Sequence, residues 1–292
     1  MKVLITGHLG FVGSETIRLF QEKGIEVVGY DILKNGGDIR DMEAFEGAIK
    51  AVYPDRILHL AAIARFSEAD KDPKLAFETN VLGTKNVAYI ATKFRIPLIY
   101  ASTGSVYMPI KRMPPITEEF ETMGNSVYGV TKNLGEIYVR QFGCPWIILR
   151  YAHLYGKEKR MHGLIGGFLE RIERGLAPTL YGGKQSNDFT YIKDVAEANY
   201  LAVTASWDKW NQAYNIGTGE EIIAEEAGRI ICQLTKYKGK VERKEGRTVD
   251  PERFVYDISK AERILNFKAK YNFHTGLKDM FSVEVKDLKV KP

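Results

Sequence analysis

The chain has 292 residues, 45% of them hydrophobic and 27% charged, which suffices for one large or two modest domains at roughly 100 to 200 residues each. Its formal charge of +5 is spread over 42 basic and 37 acidic residues, so no single basic stripe indicates a nucleic-acid partner. Two cysteines without zinc-ligand spacing, and no run near the roughly 20 apolar residues of a membrane span, predict a cytoplasmic protein with no metal and no membrane partner.

Short apolar runs alternate with longer stretches of helical period over the first half of the chain. The predicted strands are residues 2–5, 25–30, 56–60, 98–101 and 146–150. The predicted helices between them are residues 12–23, 42–52, 81–94 and 127–142. This alternation is typical of βαβ units, so we predict an α/β fold with a Rossmann-type, doubly wound parallel sheet.

The rhythm changes after residue 150. A glycine-rich segment leads to a helix that ends near Gly175 and to a turn-rich run over residues 181–188. A helix at 194–205 and a strand at 213–216 then resume the earlier pattern before a charged tail. We therefore predict two interleaved domains. Their predicted bounds are 1–157 with 192–216 for a dinucleotide-binding Rossmann domain, and 158–191 with 217–292 for a smaller substrate-binding domain.

The first chemical motif is TGHLGFVG at residues 6–13, which follows the first predicted strand and opens a helix at Phe11 and Val12. A tight turn requires Gly7, the close approach of a pyrophosphate requires Gly10, and Gly13 lets the helix pack on the strand. The free N–H groups of the helix N-terminus bind phosphate oxygens. The motif predicts a dinucleotide site, although an ordinary glycine-rich turn has the same sequence pattern.

Asp31 ends the second predicted strand, 18 residues after Gly13. An acidic residue at about this spacing binds the adenosine ribose hydroxyls, and its charge repels a 2′-phosphate. Asp31 therefore favours NAD over NADP. The alternative is an aspartate that only caps a turn.

Four motifs together resemble one known family. DIR at residues 38–40, HLAA at 59–62 and NVLG at 80–83 follow the glycine motif in order. The chain resembles the extended short-chain dehydrogenase/reductases, the family of NAD-dependent nucleotide-sugar epimerases and dehydratases that includes UDP-glucose 4-epimerase. The resemblance implies NAD as cofactor and a nucleotide sugar as substrate. It also implies further cofactor contacts at Asp38, Ile39, Leu60, Ala61, Ala62 and Asn80.

In that family a Tyr-x-x-x-Lys pair carries the chemistry, and this spacing occurs six times here. The two side chains share a face only inside a helix, which leaves Tyr89 with Lys93 and Tyr128 with Lys132. Only the second pair has a hydroxyl partner, because Thr103 lies 25 residues before Tyr128 in the turn after the fourth strand. We predict Thr103, Tyr128 and Lys132 as the catalytic triad, the alternative being a Tyr128 that is merely packed.

A sugar alcohol must lose its proton as its carbon gives hydride to the nicotinamide, and a phenol with a pKa of about 10 is a poor base at neutral pH. We expect the Lys132 ammonium and the positive nicotinamide to lower the pKa of Tyr128. Thr103 would donate a hydrogen bond to the reacting oxygen. Tyr128 and Lys132 would also contact the cofactor.

The resemblance also bears on the reaction. In the related dehydratases an acidic pair follows the threonine, whereas Gly104 and Ser105 follow it here. This favours 4-epimerization of a UDP-glucose/UDP-galactose type hexose through a transient 4-keto intermediate. A reductase of nucleotide 4-keto-6-deoxysugars is the alternative, because the Asp31-to-Asp38 spacing is short. A non-catalytic dinucleotide sensor has no need of the triad.

The resemblance implies substrate contacts from Ser105, His153, Asn187 and Arg247. His153 stands where the family usually has asparagine, and Asn187 where it commonly has a phosphate-binding arginine. Arg247 can bind phosphate through its planar guanidinium, or can be an ordinary surface charge.

The resemblance further predicts a homodimer formed by the helices at 81–94 and 127–142. Both carry aliphatic side chains that we expect to be exposed. They are Val81, Ile90, Val130, Leu134 and Ile137.

Overall fold

The computed structural model describes residues 1–108, 115–124, 126–157, 163–246 and 252–282. A parallel sheet of six strands, in the order β10-β5-β4-β3-β1-β2, organises the molecule. Its strands are β1 (Lys2–Thr6), β2 (Glu26–Tyr30), β3 (Arg56–His59), β4 (Leu98–Thr103), β5 (Trp146–Tyr151) and β10 (Gln212–Ile216). The predicted Rossmann-type fold is confirmed.

Three small sheets accompany the main one within the described ranges. Strand β8 lies between β11 and β13, β7 pairs with β12, and β6 pairs with β9. Their strands are β6 (His153–Tyr155), β7 (Thr179–Tyr181), β8 (Ser186–Asn187), β9 (Phe189–Tyr191), β11 (Ile222–Ile223), β12 (Glu242–Lys244) and β13 (Arg253–Phe254). All seven follow residue 150, where the predicted alternation stops. The domain bounds stay a prediction.

The α-helices of the described ranges cover both faces of the main sheet and part of the region after residue 150. They are α1 (Phe11–Glu22), α2 (Ile32–Asn35), α3 (Met42–Val52), α4 (Phe66–Lys71), α5 (Pro73–Phe77), α6 (Thr84–Lys93), α7 (Val127–Gln141), α8 (Gly163–Glu173), α9 (Ile192–Val203), α10 (Ala224–Leu234) and α11 (Phe273–Ser282). No helix in the described part of the chain is both long and apolar enough to cross a membrane.

The strands are apolar along both faces because each face is covered. On β1, Ile5 belongs to the apolar cluster beneath α1 and α9, and Leu4 to the cluster beneath α3, α6 and α7. The carboxyl ends of β1, β3, β4 and β5 meet at one edge of the sheet, the place where open α/β sheets bind ligands.

One predicted helix differs from the observed structure. The stretch predicted as a helix over 81–94 begins as a π-helical segment (Glu78–Gly83) and continues as α6. Both segments pack against α7, and Ile90 belongs to the apolar cluster beneath α3, α6 and α7. Val81 and Ile90, predicted as exposed, are buried at 2% and 0% exposure, whereas Val130 and Ile137 on α7 are exposed and Leu134 is half-buried.

Candidate active site

A cleft of about 1430 Å³ opens at the carboxyl edge of the main sheet. It brings together most of the predicted site residues, from both halves of the chain. The predicted residues that line it are Gly7, Gly10, Phe11, Val12, Asp31, Asp38, Ile39, Leu60, Ala61, Ala62, Thr103, Ser105, Tyr128, Lys132 and His153.

The glycine turn is shaped by backbone contacts. Gly7 has φ +68°, and a Cβ there would lie 2.7 Å from the Cα of Ala61. A Cβ on Gly13 would lie 2.6 Å from the carbonyl oxygen of Gly7. Helix α1 then begins with Gly10 as its N-cap and without a side-chain cap, so its first N–H groups are available to an anion. This cradle fits the pyrophosphate of a dinucleotide.

Asp31 caps one turn and supports another. Its Oδ1 accepts a hydrogen bond from the N–H of Leu33 at the start of α2, and its Oδ2 accepts one from the N–H of Leu9, both at 3.0 Å. Asp31 also lines the cleft. The two readings of Asp31 are therefore compatible, because a capping carboxylate still presents its charge to a ribose.

The next two predicted residues continue the same wall. Asp38 forms an ion pair with Arg40 at 2.6 Å, and this guanidinium keeps the pKa of Asp38 below its usual range. Ile39 between them is buried. The charge of Asp38 is thus largely balanced within the protein.

Asn80 supports the wall from behind and does not line the cleft. Its Oδ1 accepts from the N–H of Ile63 at 2.8 Å, and its Nδ2 donates to the carbonyl of Ile63 and to Thr131 Oγ1, both at 3.0 Å. Asn80 therefore fixes the chain after Ala62 against α7. Direct contact between Asn80 and a cofactor stays a prediction.

Close packing brings the predicted triad together. Thr103 ends β4, and Tyr128 and Lys132 lie one turn apart on α7. Ser126 begins α7 by accepting a hydrogen bond from the N–H of Gly129 at 3.1 Å. A Cβ on Gly129 would lie 2.2 Å from the carbonyl oxygen of Ser105, so this glycine lets α7 approach the turn after Thr103.

Burial dominates the ionisation of the triad. It raises the pKa of Tyr128 to about 12, and a hydrogen bond with Thr103 opposes it. In the protein alone burial is the larger effect, and the lowering expected from Lys132 together with a bound nicotinamide stays a prediction. Burial also lowers the pKa of Lys132 to about 7, against the opposite effect of Glu136. The Nζ of Lys132 lies 4.0 Å from the centre of the Tyr100 ring.

The competing pairs are placed elsewhere. Tyr89 is 43% exposed, and Lys93 forms an ion pair with Glu46 at 2.8 Å, away from the residues that line the cleft. The same spacing also joins Tyr107 to Lys111, outside any predicted helix. Tyr107 lines the cleft, but Lys111 lies outside the described residues.

The predicted substrate residues divide into two groups. Ser105 lines the cleft and donates its N–H to Thr103 Oγ1 at 3.3 Å. His153 is open to the cleft, with the rings of Phe189 and Phe254 at 6.0 and 5.2 Å, and the surrounding protein lowers its pKa to about 4. Asn187 lies on β8 and does not line the cleft. Arg247 lies outside the described residues.

Sequence reasoning missed a buried charged group behind the triad. Glu136 pairs with Arg150 at 2.8 Å, and the side chains are 1% and 2% exposed. The spacing of Tyr128, Lys132 and Glu136 at successive fourth positions of one helix could have revealed it.

The structure also explains why a glycine follows Thr103 at position 104. A Cβ on Gly104 would lie 2.1 Å from Phe254 Cζ and 2.6 Å from the hydroxyl of Tyr256. Two rings from the small-sheet region therefore occupy the space beside Thr103 where a longer side chain would project. In the described ranges, no group of three or more His, Cys, Asp or Glu side chains could hold a metal ion.

Comparisons with known proteins agree with this geometry. Residues 3–217 match the NAD dependent epimerase/dehydratase family. A Methanocaldococcus jannaschii protein with a provisional assignment as UDP-glucose 4-epimerase is 30% identical, over 94% of this chain and 96% of its own. A UDP-N-acetyl-alpha-D-glucosaminuronate decarboxylase of Bacillus cytotoxicus is 29% identical, over 95% of this chain and 96% of its own.

Solved structures resemble the whole chain. The Thermotoga maritima UDP-glucose 4-epimerase with UDP-glucose has a TM-score of 0.91 at 27% identity and covers 99% of this chain and 100% of its own. The Thermus thermophilus UDP-glucose 4-epimerase with NAD has a TM-score of 0.86 at 28% identity and covers 97% and 98%.

Proposed function

Because the chain belongs to the NAD-dependent epimerase/dehydratase family, we propose that it inverts the C4 hydroxyl of a nucleotide-activated hexose of the UDP-glucose/UDP-galactose type. The reaction passes through a transient 4-keto sugar and leaves no net redox change. The prediction of NAD as the cofactor is confirmed by the family, while the choice of reaction and sugar is our proposal.

The cofactor would lie along the carboxyl edge of the sheet. The N–H groups at the start of α1 would hold its pyrophosphate, and Asp31 would accept hydrogen bonds from the adenosine ribose. When bound, NAD supplies the acceptor and then the donor of the C4 hydride. The small side chains of Ala61 and Ala62 leave room for it beside the sheet.

The triad would move the proton of the sugar hydroxyl. Tyr128 takes this proton as the general base, and Thr103 donates a hydrogen bond to the sugar oxygen. Lys132 in its ammonium form stabilises the phenolate of Tyr128, whose pKa the protein alone keeps at about 12. Epimerization requires the same groups to return the proton after the keto sugar has rotated within the cleft to present its other face.

The packing of Gly104 carries the choice of epimerization over dehydration. Dehydration requires a carboxylate beside the triad to remove a second proton and a carboxylic acid to protonate the departing hydroxyl, which leaves as water. The position after Thr103 is closed by Phe254 and Tyr256, and the carboxylates that line the described cleft come from the loop after β2 and from α4. They are Asp31, Asp38, Glu68 and Asp70.

The sugar would meet an uncharged histidine on one wall of the cleft. His153 has a pKa of about 4, so at neutral pH it offers one N–H donor and one acceptor rather than a cation. Such a group suits sugar hydroxyls. We propose Ser105 as a second hydroxyl contact, and Arg247 and Asn187 stay predictions for the nucleotide side, as does the cytoplasmic location.

The dimer also belongs to this proposal. The π-helical segment and α6 pack against α7, and together they leave Leu82, Tyr89, Val130 and Ile137 exposed on the surface. We propose that these side chains form the face that pairs in a homodimer. Val130 and Ile137 are also among the residues that the sequence predicts to be exposed. Light scattering at micromolar protein tests this, and a purely monomeric species would contradict it.

One incubation tests the reaction. The protein is mixed with UDP-, dTDP- or GDP-hexoses and catalytic NAD, and the products are resolved by chromatography while NADH absorbance is followed. Interconversion of UDP-glucose and UDP-galactose, or of their N-acetyl or uronic forms, without net NADH is the expected result. Stoichiometric consumption of NAD(P)H with a 4-keto-sugar would instead establish the reductase.

A further inference from the structure

The buried carboxylate of Glu136 lies on the same face of α7 as Tyr128 and Lys132. It accepts four hydrogen bonds from three side chains. The donors are Ser102 Oγ at 2.6 Å, Arg150 Nε at 2.9 Å, Arg150 Nη2 at 2.8 Å and Arg140 Nη2 at 2.9 Å. Four bonds are about the full capacity of an ionised carboxylate, so Glu136 has little freedom to move.

The partners of Glu136 belong to the reacting edge of the sheet. Ser102 directly precedes Thr103 on β4. Arg150 on β5 uses its remaining Nη1 to donate to the hydroxyl of Tyr107 at 2.9 Å, and Tyr107 lines the cleft. Glu136 therefore joins the helix that carries Tyr128 to the strand that carries Thr103.

Charge adds a second link. The charge of Lys132 interacts with Glu136 on α7 and with His59 on β3, and its Nζ lies over the Tyr100 ring of β4. Burial holds the pKa of His59 at about 3, so this imidazole is neutral. Glu136 therefore supplies the negative charge that favours the Lys132 ammonium, and it shares this charge with Arg150 and Arg140.

A stabilising role accounts poorly for this arrangement. Burying an ion pair costs desolvation that often equals its attraction, so a pair of well-packed apolar side chains would serve stability as well. We propose that Glu136 is a positioning residue, which fixes the helix of Tyr128 and Lys132 against the strand of Thr103 and places its charge one turn from Lys132 on α7. The consequence for turnover rests on the proposed function, whereas the consequence for Lys132 does not.

The first measurement follows Lys132 directly. Protein labelled with ¹³C at the lysine ε carbons is titrated by NMR, and Lys132→Met identifies the signal. Glu136→Gln is expected to lower the titration midpoint of Lys132 by about one pH unit, because the carboxylate charge is lost. Glu46→Gln removes an equal charge beside exposed Lys93 and should leave the midpoint unchanged. A native midpoint in Glu136→Gln would overturn the proposal.

The second measurement uses turnover. Glu136→Gln is expected to lower kcat by at least about tenfold with little change in KM or in the Kd for NAD, and Glu136→Asp should recover part of kcat. A kcat that falls only in proportion to the folded fraction, measured by circular dichroism, would make Glu136 merely structural. If Glu136→Gln does not fold, Ser102→Ala removes the 2.6 Å bond and keeps the Arg150 pair. Native activity in Ser102→Ala would then overturn the positioning role. If the unmutated protein turns over none of the sugars, only the proposed function is contradicted.

Discussion

The two ends of the cleft differ in whether backbone or side chains line them. At the end proposed to bind the dinucleotide, backbone forms the lining, namely the turn at Gly7, the N-terminus of α1 and the amides that donate to Asp31. At the end proposed to be catalytic, side chains on β4 and α7 form it, and the buried Glu136–Arg150 pair lies behind them.

This difference has a physical cause. A phosphate is bound by a fixed array of N–H groups, which a short local turn can provide. Proton transfer needs a hydroxyl, a phenol and an ammonium at defined positions, and these come from segments distant in sequence. The catalytic end therefore depends on long-range packing, and single substitutions there should cost more in rate than in binding.

The largest effect is expected from Tyr128→Phe, which tests the catalytic end alone. Loss of the phenol should lower turnover about 10²- to 10⁴-fold while the Kd for NAD stays near its native value, because the ring still packs against Phe66. Kinetics and isothermal titration calorimetry measure the two quantities.

Tyr89→Phe, at an exposed position of α6, is the matched control, and it should leave turnover unchanged. Damage from Tyr89→Phe with normal activity in Tyr128→Phe would show that the wrong pair was assigned.

The second effect is on stability against acid, at the junction of the two ends. His59 is buried between Thr6 Oγ1 at 2.7 Å and Thr84 Oγ1 at 3.0 Å, and burial lowers its pKa from 6.5 to about 3. Because the unfolded chain binds the proton more readily, stability is full above pH 6.5 and falls as the pH drops toward 3. Urea unfolding at pH 7 and pH 5 should show a loss that is smaller in His59→Gln.

His274 is exposed and serves as the control, so His274→Gln should lose as much stability as the native protein over this interval. Equal losses in His59→Gln and the native protein would contradict the assignment of this acid sensitivity to His59.

The sequence predicts the two ends unequally well. Local patterns place the six sheet strands and the glycine turn, because a turn with a positive φ and a close backbone contact accepts little except glycine. The triad could be selected only with the help of helix and strand positions. The partnership of Glu136 with Arg150 and the closure of Gly104 by Phe254 depend on contacts between segments far apart in sequence, which periodicity does not report.

Side-chain orientation was the other failure. Val81 and Ile90 were predicted to be exposed from the resemblance to dimeric enzymes, whereas both are buried in the region where the π-helical segment and α6 pack against α7. The orientation of Asn80 was also not predicted, because its buried amide accepts a hydrogen bond from Ile63 behind the cleft wall. The short strands after residue 150 lack a clear period because strands of two or three residues show no alternation.

The third prediction tests the backbone end through Gly7→Ala. The added Cβ meets the backbone of Ala61 and the residue keeps φ +68°, so we expect a loss of roughly 1 to 3 kcal/mol in the free energy of unfolding, with weaker NAD binding. Gly47→Ala on α3 has open space around it and should gain about 0.5 to 1 kcal/mol. Urea unfolding compares them, and equal stabilities would contradict the backbone argument.

The smallest effect is expected from Asp31→Asn, which separates the charge of Asp31 from its capping role. The amide keeps one oxygen to accept a backbone N–H, as the carboxylate accepts from Leu9 and Leu33, but it no longer repels a 2′-phosphate. The ratio of the Kd for NADP to that for NAD should fall by about tenfold, or about 1.4 kcal/mol. Asp38→Asn is the control, because Arg40 already balances Asp38 and the ratio should change less. Calorimetry at one salt concentration measures both ratios, and an unchanged ratio in Asp31→Asn would leave Asp31 as a structural cap alone.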